Sequence, residues 1–268
     1  MATPDGAAAR SRASALHPSD VTATTGAVLL VHGAWHGAWC WQDLARRLGD
    51  LGHDVRTVEL RGHDQQGRIW HRVQDYVEDV RDAASGCPSP LVVIGHSLGG
   101  LVVQKYLEDG QAAGMVLLAP VPSRGTIPAI GRLARRHPIA LLEATLTLRL
   151  RPFVRTPTLV RELFFTATTS QETVDATWRR LRDESYPAFL QTAVLRPRPE
   201  RIRSRVLVVA AEHDWFFTLA EMHQTARAYG TEAVVIEGAG HALMLDSGWP
   251  ELARQIDHWT RATVAAAS

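Results

Sequence analysis

A serine hydroxyl becomes a nucleophile only when a base removes its proton and an acid orients that base. The hexad Gly95-His96-Ser97-Leu98-Gly99-Gly100 stands between an apolar run, LVVI, and a helical run, LVVQKYLEDG. Glycines two before and two after Ser97 permit a strained strand-to-helix turn that exposes the hydroxyl and lets helix and strand approach closely. Where a serine is presented this way, the acid and then the histidine follow in chain order. The apolar run 206–210 ends in Ala211-Glu212-His213-Asp214, so Asp214 is the candidate acid and Glu212 the alternative. The run 233–237 leads into Gly238-Ala239-Gly240-His241, a small-residue turn that lets the His241 imidazole reach back as the base. Taken singly, Asp214 is explained as a helix N-cap and His241 as a surface turn residue. Their order and spacing behind Ser97 favour a catalytic triad of Ser97, Asp214 and His241.

Acyl transfer also needs donors for the developing oxyanion. The backbone N–H of Leu98, next after the nucleophile, is one. The loop His32-Gly33-Ala34-Trp35-His36-Gly37-Ala38-Trp39 supplies the other, assigned to Ala34 with Trp35 as the alternative. Trp35, Trp39 and His96 are the candidates for touching substrate, Trp35 and Trp39 as walls of an apolar pocket. For His96, packing beneath the turn is the plainer account. Trp41, at a helix start, is a core residue. His32 and His36 lie four apart in a loop with no carboxylate between them, which suits shaping that loop better than holding a metal. Leu60-Arg61-Gly62-His63 is taken as structural. No metal or other cofactor is called for.

These residues need a scaffold. Apolar runs at 27–31, 53–60, 91–95, 115–119, 206–210 and 233–237 have strand length, and several are apolar throughout, as strands buried on both faces must be. Amphipathic stretches at 41–51, 73–84, 98–109, 219–229 and 249–263 alternate with them. The pattern predicts a doubly wound, mostly parallel α/β sheet. Between about 121 and 205 the alternation stops. Helical periodicity continues there, punctuated by Pro128, Pro138, Pro152, Pro157, Pro187 and Pro197. This predicts a helical cap inserted over the C-terminal edge of the sheet, where ligands bind in open α/β folds. Residues 1–26, rich in Ala, Ser, Thr and Arg, are expected to form a disordered tail, leaving 27–268 as one domain.

The chain has 268 residues and a net charge of +1, with nothing that calls for a nucleic-acid partner. No apolar run approaches the ~18 residues of a transmembrane helix. Two cysteines provide no disulfide framework, which points to the cytoplasm. The near-neutral total conceals an asymmetry: residues 121–205 carry 16 arginines, no lysine and 7 carboxylates. The plain account is solvated helix faces; the functional one is attraction of an anionic substrate, a carrier-bound acyl group or an acidic membrane.

Together these motifs resemble the α/β-hydrolase superfamily, over nearly the whole chain after the tail. VHGAWHGAWCW is similar to the first loop of its methylesterase and hydroxynitrile lyase branch, and GHSLGG, AEHDWF and GAGHALML fit the same branch. The resemblance implies a cofactor-free hydrolase of carboxylic esters. The cap does not match the plant enzymes, so their substrates do not transfer. Hydroxynitrile lyases of the branch carry lysine directly after the histidine, where this chain has Ala242. The reading that results is a serine hydrolase acting on a small or medium, partly apolar ester. Thioester hydrolysis, lyase or carbon–carbon chemistry, and a ligand receptor on the same scaffold stay open.

Overall fold

The computed structural model describes residues 25–64 and 68–267. Six strands form one sheet: β1 (Ala27–Val31), β2 (Asp54–Val58), β3 (Leu91–His96), β4 (Gly114–Leu118), β5 (Arg205–Ala211) and β6 (Ala233–Ile236). They lie in the order β2-β1-β3-β4-β5-β6, and every neighbouring pair is parallel. Parallel neighbours require crossovers, which here are the helices α1 (Gln42–Asp50), α2 (Val73–Ser85), α3 (Leu98–Tyr106) and α9 (Leu219–Ala228), with α10 (Trp249–Ala267) closing the chain.

Alternate side chains of a strand point to opposite faces, and both faces are covered. Leu29, Val31, Val93 and Leu117 pack with Val77, Leu101 and Met222 of α2, α3 and α9. Val28, Leu30, Ile94 and Leu118 pack with Leu44 and Leu48 of α1 and Ile256 of α10. Double burial explains why AVLLV and LVVI lack a polar alternation. At the sheet edge β2 keeps only Val58 fully buried, and its sequence DVRTV is correspondingly polar.

The chain leaves β1 toward β2, then crosses back to β3, so the direction of winding reverses between β1 and β3. Ligand crevices form at such a reversal, beyond the carboxyl ends of the strands. The loop after β1 and the turn after β3 meet there.

Between β4 and β5 the described chain contains no strand. It forms α4 (Ile127–Arg136), α5 (Pro138–Thr147), α6 (Pro157–Phe164), α7 (Gln171–Arg180) and α8 (Tyr186–Val194). Pro128, Pro138, Pro157 and Pro187 each occupy a first turn, where a missing N–H costs nothing. Of the N-terminal stretch read as a tail, residues 1–24 lie outside the described residues. Gly26 is buried, and Ala27, the first residue of β1, donates its N–H to Pro90 O at 3.0 Å.

Candidate active site

Ser97 is the hinge between β3 and α3. Its φ of 52° and ψ of −116° lie where non-glycine residues are rare. The neighbours permit it by lacking side chains. A Cβ on Gly95 would sit 2.5 Å from Gly99 O, and one on Gly99 would sit 2.5 Å from Val31 O. Larger residues would push α3 off the ends of β1 and β3 and lower the hydroxyl out of the crevice.

The Ser97 hydroxyl lies 2.9 Å from His241 Nε2, and His241 Nδ1 lies 2.8 Å from Asp214 Oδ2. A carboxylate only accepts, so Nδ1 carries the imidazole proton and Nε2 presents a lone pair to the serine. Asp214 follows β5, and its other oxygen accepts the backbone N–H of Phe216 and Phe217 at 2.7 and 3.0 Å. Glu212 is part of another arrangement: its side chain is partly exposed and accepts Gly238 N–H at 2.8 Å.

His241 sits on a loop that is held from two sides. Buried Asp246 accepts Gly240 N–H at 2.8 Å and the Thr169 hydroxyl at 2.7 Å. Ala242 N–H donates to Phe164 O at 2.9 Å. Both outside partners, Thr169 and Phe164, belong to the inserted helical region, so the insertion and the histidine loop are tied together.

Ala34 and Leu98 both line a cavity of about 50 Å³ that reaches Ser97. Neither backbone N–H has an acceptor among the described residues. Trp35 N–H, the alternative, is occupied: it donates to Glu184 Oε2 at 3.3 Å. Trp35 itself lines the cavity with Phe216, Phe217, Ile130 and Leu133. Trp39 and His96 are not among its lining residues. The Trp39 ring stacks on His36 and carries the Arg180 guanidinium 4.6 Å from its centre. His96 is buried beneath the turn, where its Nε2–H donates to His241 O at 2.9 Å.

The buried carboxylate of Glu184 is the feature that the sequence reading missed. Oε2 also accepts His63 Nε2–H at 3.0 Å, while Oε1 accepts the Tyr76 hydroxyl at 2.9 Å and Ser185 N–H at 2.6 Å. His63 Nδ1 lies 3.1 Å from Leu60 O, so both ring nitrogens face acceptors. Burial pulls the His63 pKa down, but the Glu184 charge and the hydrogen bonds to Glu184 and Leu60 together outweigh it, and the net displacement is upward. Thus one side chain from the insertion grips the loops after β1 and β2 and the helix α2. The only sequence hint is the run Asp183-Glu184-Ser185, three hydrogen-bonding residues opening an apolar helix within an arginine-rich segment.

Three further buried imidazoles, His32, His36 and His96, are held toward their uncharged forms. Burial, with neighbouring histidines, holds His32 and His96 well below the usual range, and burial lowers His36 to about 4. His32 Nε2 accepts Leu60 N–H at 3.1 Å and its Nδ1–H donates to Gly33 O at 2.9 Å, so it braces the loop after β1. Among the described residues no group of three or more His, Cys, Asp and Glu is placed to hold a metal.

The chain belongs to the alpha/beta hydrolase family, whose model matches residues 28–255. It is similar to Methylesterase 10 of Arabidopsis thaliana, 33% identical over 110 residues, or 38% of this chain and 40% of that one. It is also similar to the carbendazim hydrolyzing esterase of Nocardioides sp. (strain SG-4G), 36% identical over 80 residues, or 28% of this chain and 33% of the relative. The matches thus span less than half of those relatives' lengths. A thermophilic esterase from Thermogutta terrifontis shares the fold, with a TM-score of 0.69 at 20% identity over 90% of this chain and 92% of the other.

Proposed function

We propose that the chain hydrolyses a carboxylic ester through an acyl-serine intermediate, with Ser97 as nucleophile, His241 as base and Asp214 as its orienting acid. The observation that carries this reading is a linear Ser97–His241–Asp214 relay opening on a cavity that two unoccupied N–H groups share. Ser97 Oγ attacks the ester carbonyl carbon as its proton passes to His241 Nε2. The carbonyl oxygen takes the negative charge and receives the N–H groups of Ala34 and Leu98. The tetrahedral adduct collapses, His241 returns the proton to the departing alkoxide, and alcohol leaves. Water then attacks the acyl-serine as its proton passes to the same nitrogen; the second adduct expels Ser97 Oγ, which regains the proton from His241, and the acid leaves. The names of the methylesterase and esterase relatives favour the same chemistry.

Apart from Ser97, Thr126, Thr192 and Glu184 the cavity lining is aromatic and aliphatic, and it holds no arginine or lysine among the described residues. That favours a neutral, apolar ester at the reacting centre and confines any attraction for anions to the outside of the insertion. The helices α4–α8 act as a cap, since α4 and α8 supply cavity walls through Ile130, Leu133 and Phe189. No described helix is long and apolar enough to cross a membrane. The two free cysteines favour a reducing compartment, the cytoplasm.

Ser97→Ala is expected to abolish labelling by a fluorophosphonate probe and to cut turnover of a short p-nitrophenyl ester by about a million-fold, as nucleophile loss does in another triad enzyme. Retained turnover at a few per cent of the parent would remove Ser97 from the mechanism. A receptor with a residual triad would label but barely turn over.

A further inference from the structure

Seven large hydrophobic side chains are strongly exposed among the described residues, and six of them lie in the inserted helices. The seventh, Trp70, is covered by the Arg68 guanidinium, 4.3 Å from its ring centre. On α5, Ile139, Leu142 and Leu146 recur at three- and four-residue spacing, so they form one outward stripe, with Leu146 75% exposed. Leu190 and Val194 form a second stripe on α8, and Ile127 opens α4. These helices adjoin: the Tyr186 hydroxyl reaches Thr145 Oγ1 at 3.3 Å, and Thr126 N–H donates to Thr192 O at 3.1 Å.

The charge around this apolar face is mainly positive. Arg124 and Arg135 have no ion-pair partner among the described residues, Arg196 follows α8, and Arg149, after α5, lies 3.8 Å from Asp183. The only carboxylate on α4, α5 or α8 is Glu143, which Arg155 occupies at 2.7 Å. Apolar side chains set in cations are the composition of a helix that lies in a membrane interface. A second copy of the chain fits worse, because self-association would oppose two arginine-rich faces.

We infer that the α4–α5 hairpin and the outer edge of α8 dock on an anionic lipid surface. Docking there sets the insertion's outer wall against the lipid, while Ala129, Ile130 and Leu133 of the same α4 face the cavity. The insertion would then stand between an apolar ester dissolved in the lipid and the cavity at Ser97. The docking needs no catalysis, so it stands or falls separately from the hydrolase reading.

The test is co-sedimentation of the full chain with vesicles of phosphatidylcholine, alone or mixed with phosphatidylglycerol. At low salt the chain should partition onto the mixed vesicles about tenfold or more better than onto the neutral ones, and added salt should release it. Leu142→Glu combined with Leu146→Glu, both at surface positions, should keep the parent's thermal melt and lose most of the partitioning; Arg135→Glu should lose part of it. Equal partitioning onto both vesicle types, or undiminished binding by the double variant, would overturn the inference. So would a concentration-dependent dimer, seen by light scattering, that the same double substitution dissolves, because a second copy would then occupy the face.

Discussion

Asp214 and Glu212 stand two positions apart after the same strand, and the backbone alone separates their roles. The Asp214 side chain is fully buried and turned toward His241, with its second oxygen held by two peptide N–H groups; Glu212 points to the rim of the neighbouring turn. Asp214→Asn replaces an acceptor with a group that favours the wrong imidazole tautomer, so kcat should fall by about 10⁴-fold, as in a well-studied triad protease. Glu212→Gln should leave kcat within a few-fold of the parent. A larger loss from Glu212→Gln than from Asp214→Asn, in parallel kinetic assays, would reverse the assignment. At this scale the candidate triad could be read from spacing: Ser97 follows β3 at once, while Asp214 and His241 come on the turns after β5 and β6. Trp39 and His96 were harder to place, because proximity in sequence to the loop and to Ser97 says nothing about which way a ring turns. Their surroundings, Arg180 for one and the His241 carbonyl for the other, come from distant parts of the chain.

At the scale of elements, the six strands fall within a residue or two of their apolar runs, and Pro128, Pro138, Pro157 and Pro187 mark helix starts as their chemistry requires, whereas Pro197 lies between helices. What sequence periodicity could not provide was the pairing across elements. Glu184 meets Trp35, His63 and Tyr76 at separations of 149, 121 and 108 residues. No local pattern encodes such contacts. Their consequence is that the turn before α8 steadies the loop carrying Ala34, whose neighbour Trp35 adopts a left-handed φ of 61°. Glu184→Gln removes the charge opposite His63 and weakens the hold on Trp35. Stability should drop by on the order of 1–3 kcal/mol in urea unfolding, and kcat should fall more than KM changes. A variant with parent-like stability and kcat would show that the loop holds its shape unaided.

The whole molecule keeps several imidazoles out of water, and this sets its response to acid. His32, His36 and His96 have lowered folded-state pKa values because burial disfavours their charged forms. Once unfolded, they take up protons below about 6.5 while the folded state does not, so stability falls as pH drops through that value. His36, lowered to about 4, contributes a loss on the order of 3 kcal/mol across that interval. His63 works in the other sense, since its raised value gives stability that is present below about 6.5 and lost as pH rises past the folded value. Among these imidazoles the three neutral rings therefore set the sign of the response on the acid side. Urea midpoints measured between pH 7 and pH 4 should decline steadily from about 6.5 downward; a flat profile would mean that these rings are protonated in the folded state.

The small cavity beside Ser97 also acts as a ruler. At roughly 10–15 Å³ per water-sized group, about 50 Å³ holds about four heavy atoms, well short of the ~300 Å³ or more that a drug-sized ligand fills. One arm of the ester must therefore be short, with the apolar lining from α4, Leu133 among it, taken as the stop to its length. In a homologous series of p-nitrophenyl esters, kcat/KM should climb through two, three and about four acyl carbons as each methylene buries ~0.8 kcal/mol of apolar surface. It should then fall sharply where the chain meets the wall. Enlarging the stop with Leu133→Ala should move that break to longer chains, and an unmoved break would place the short arm elsewhere.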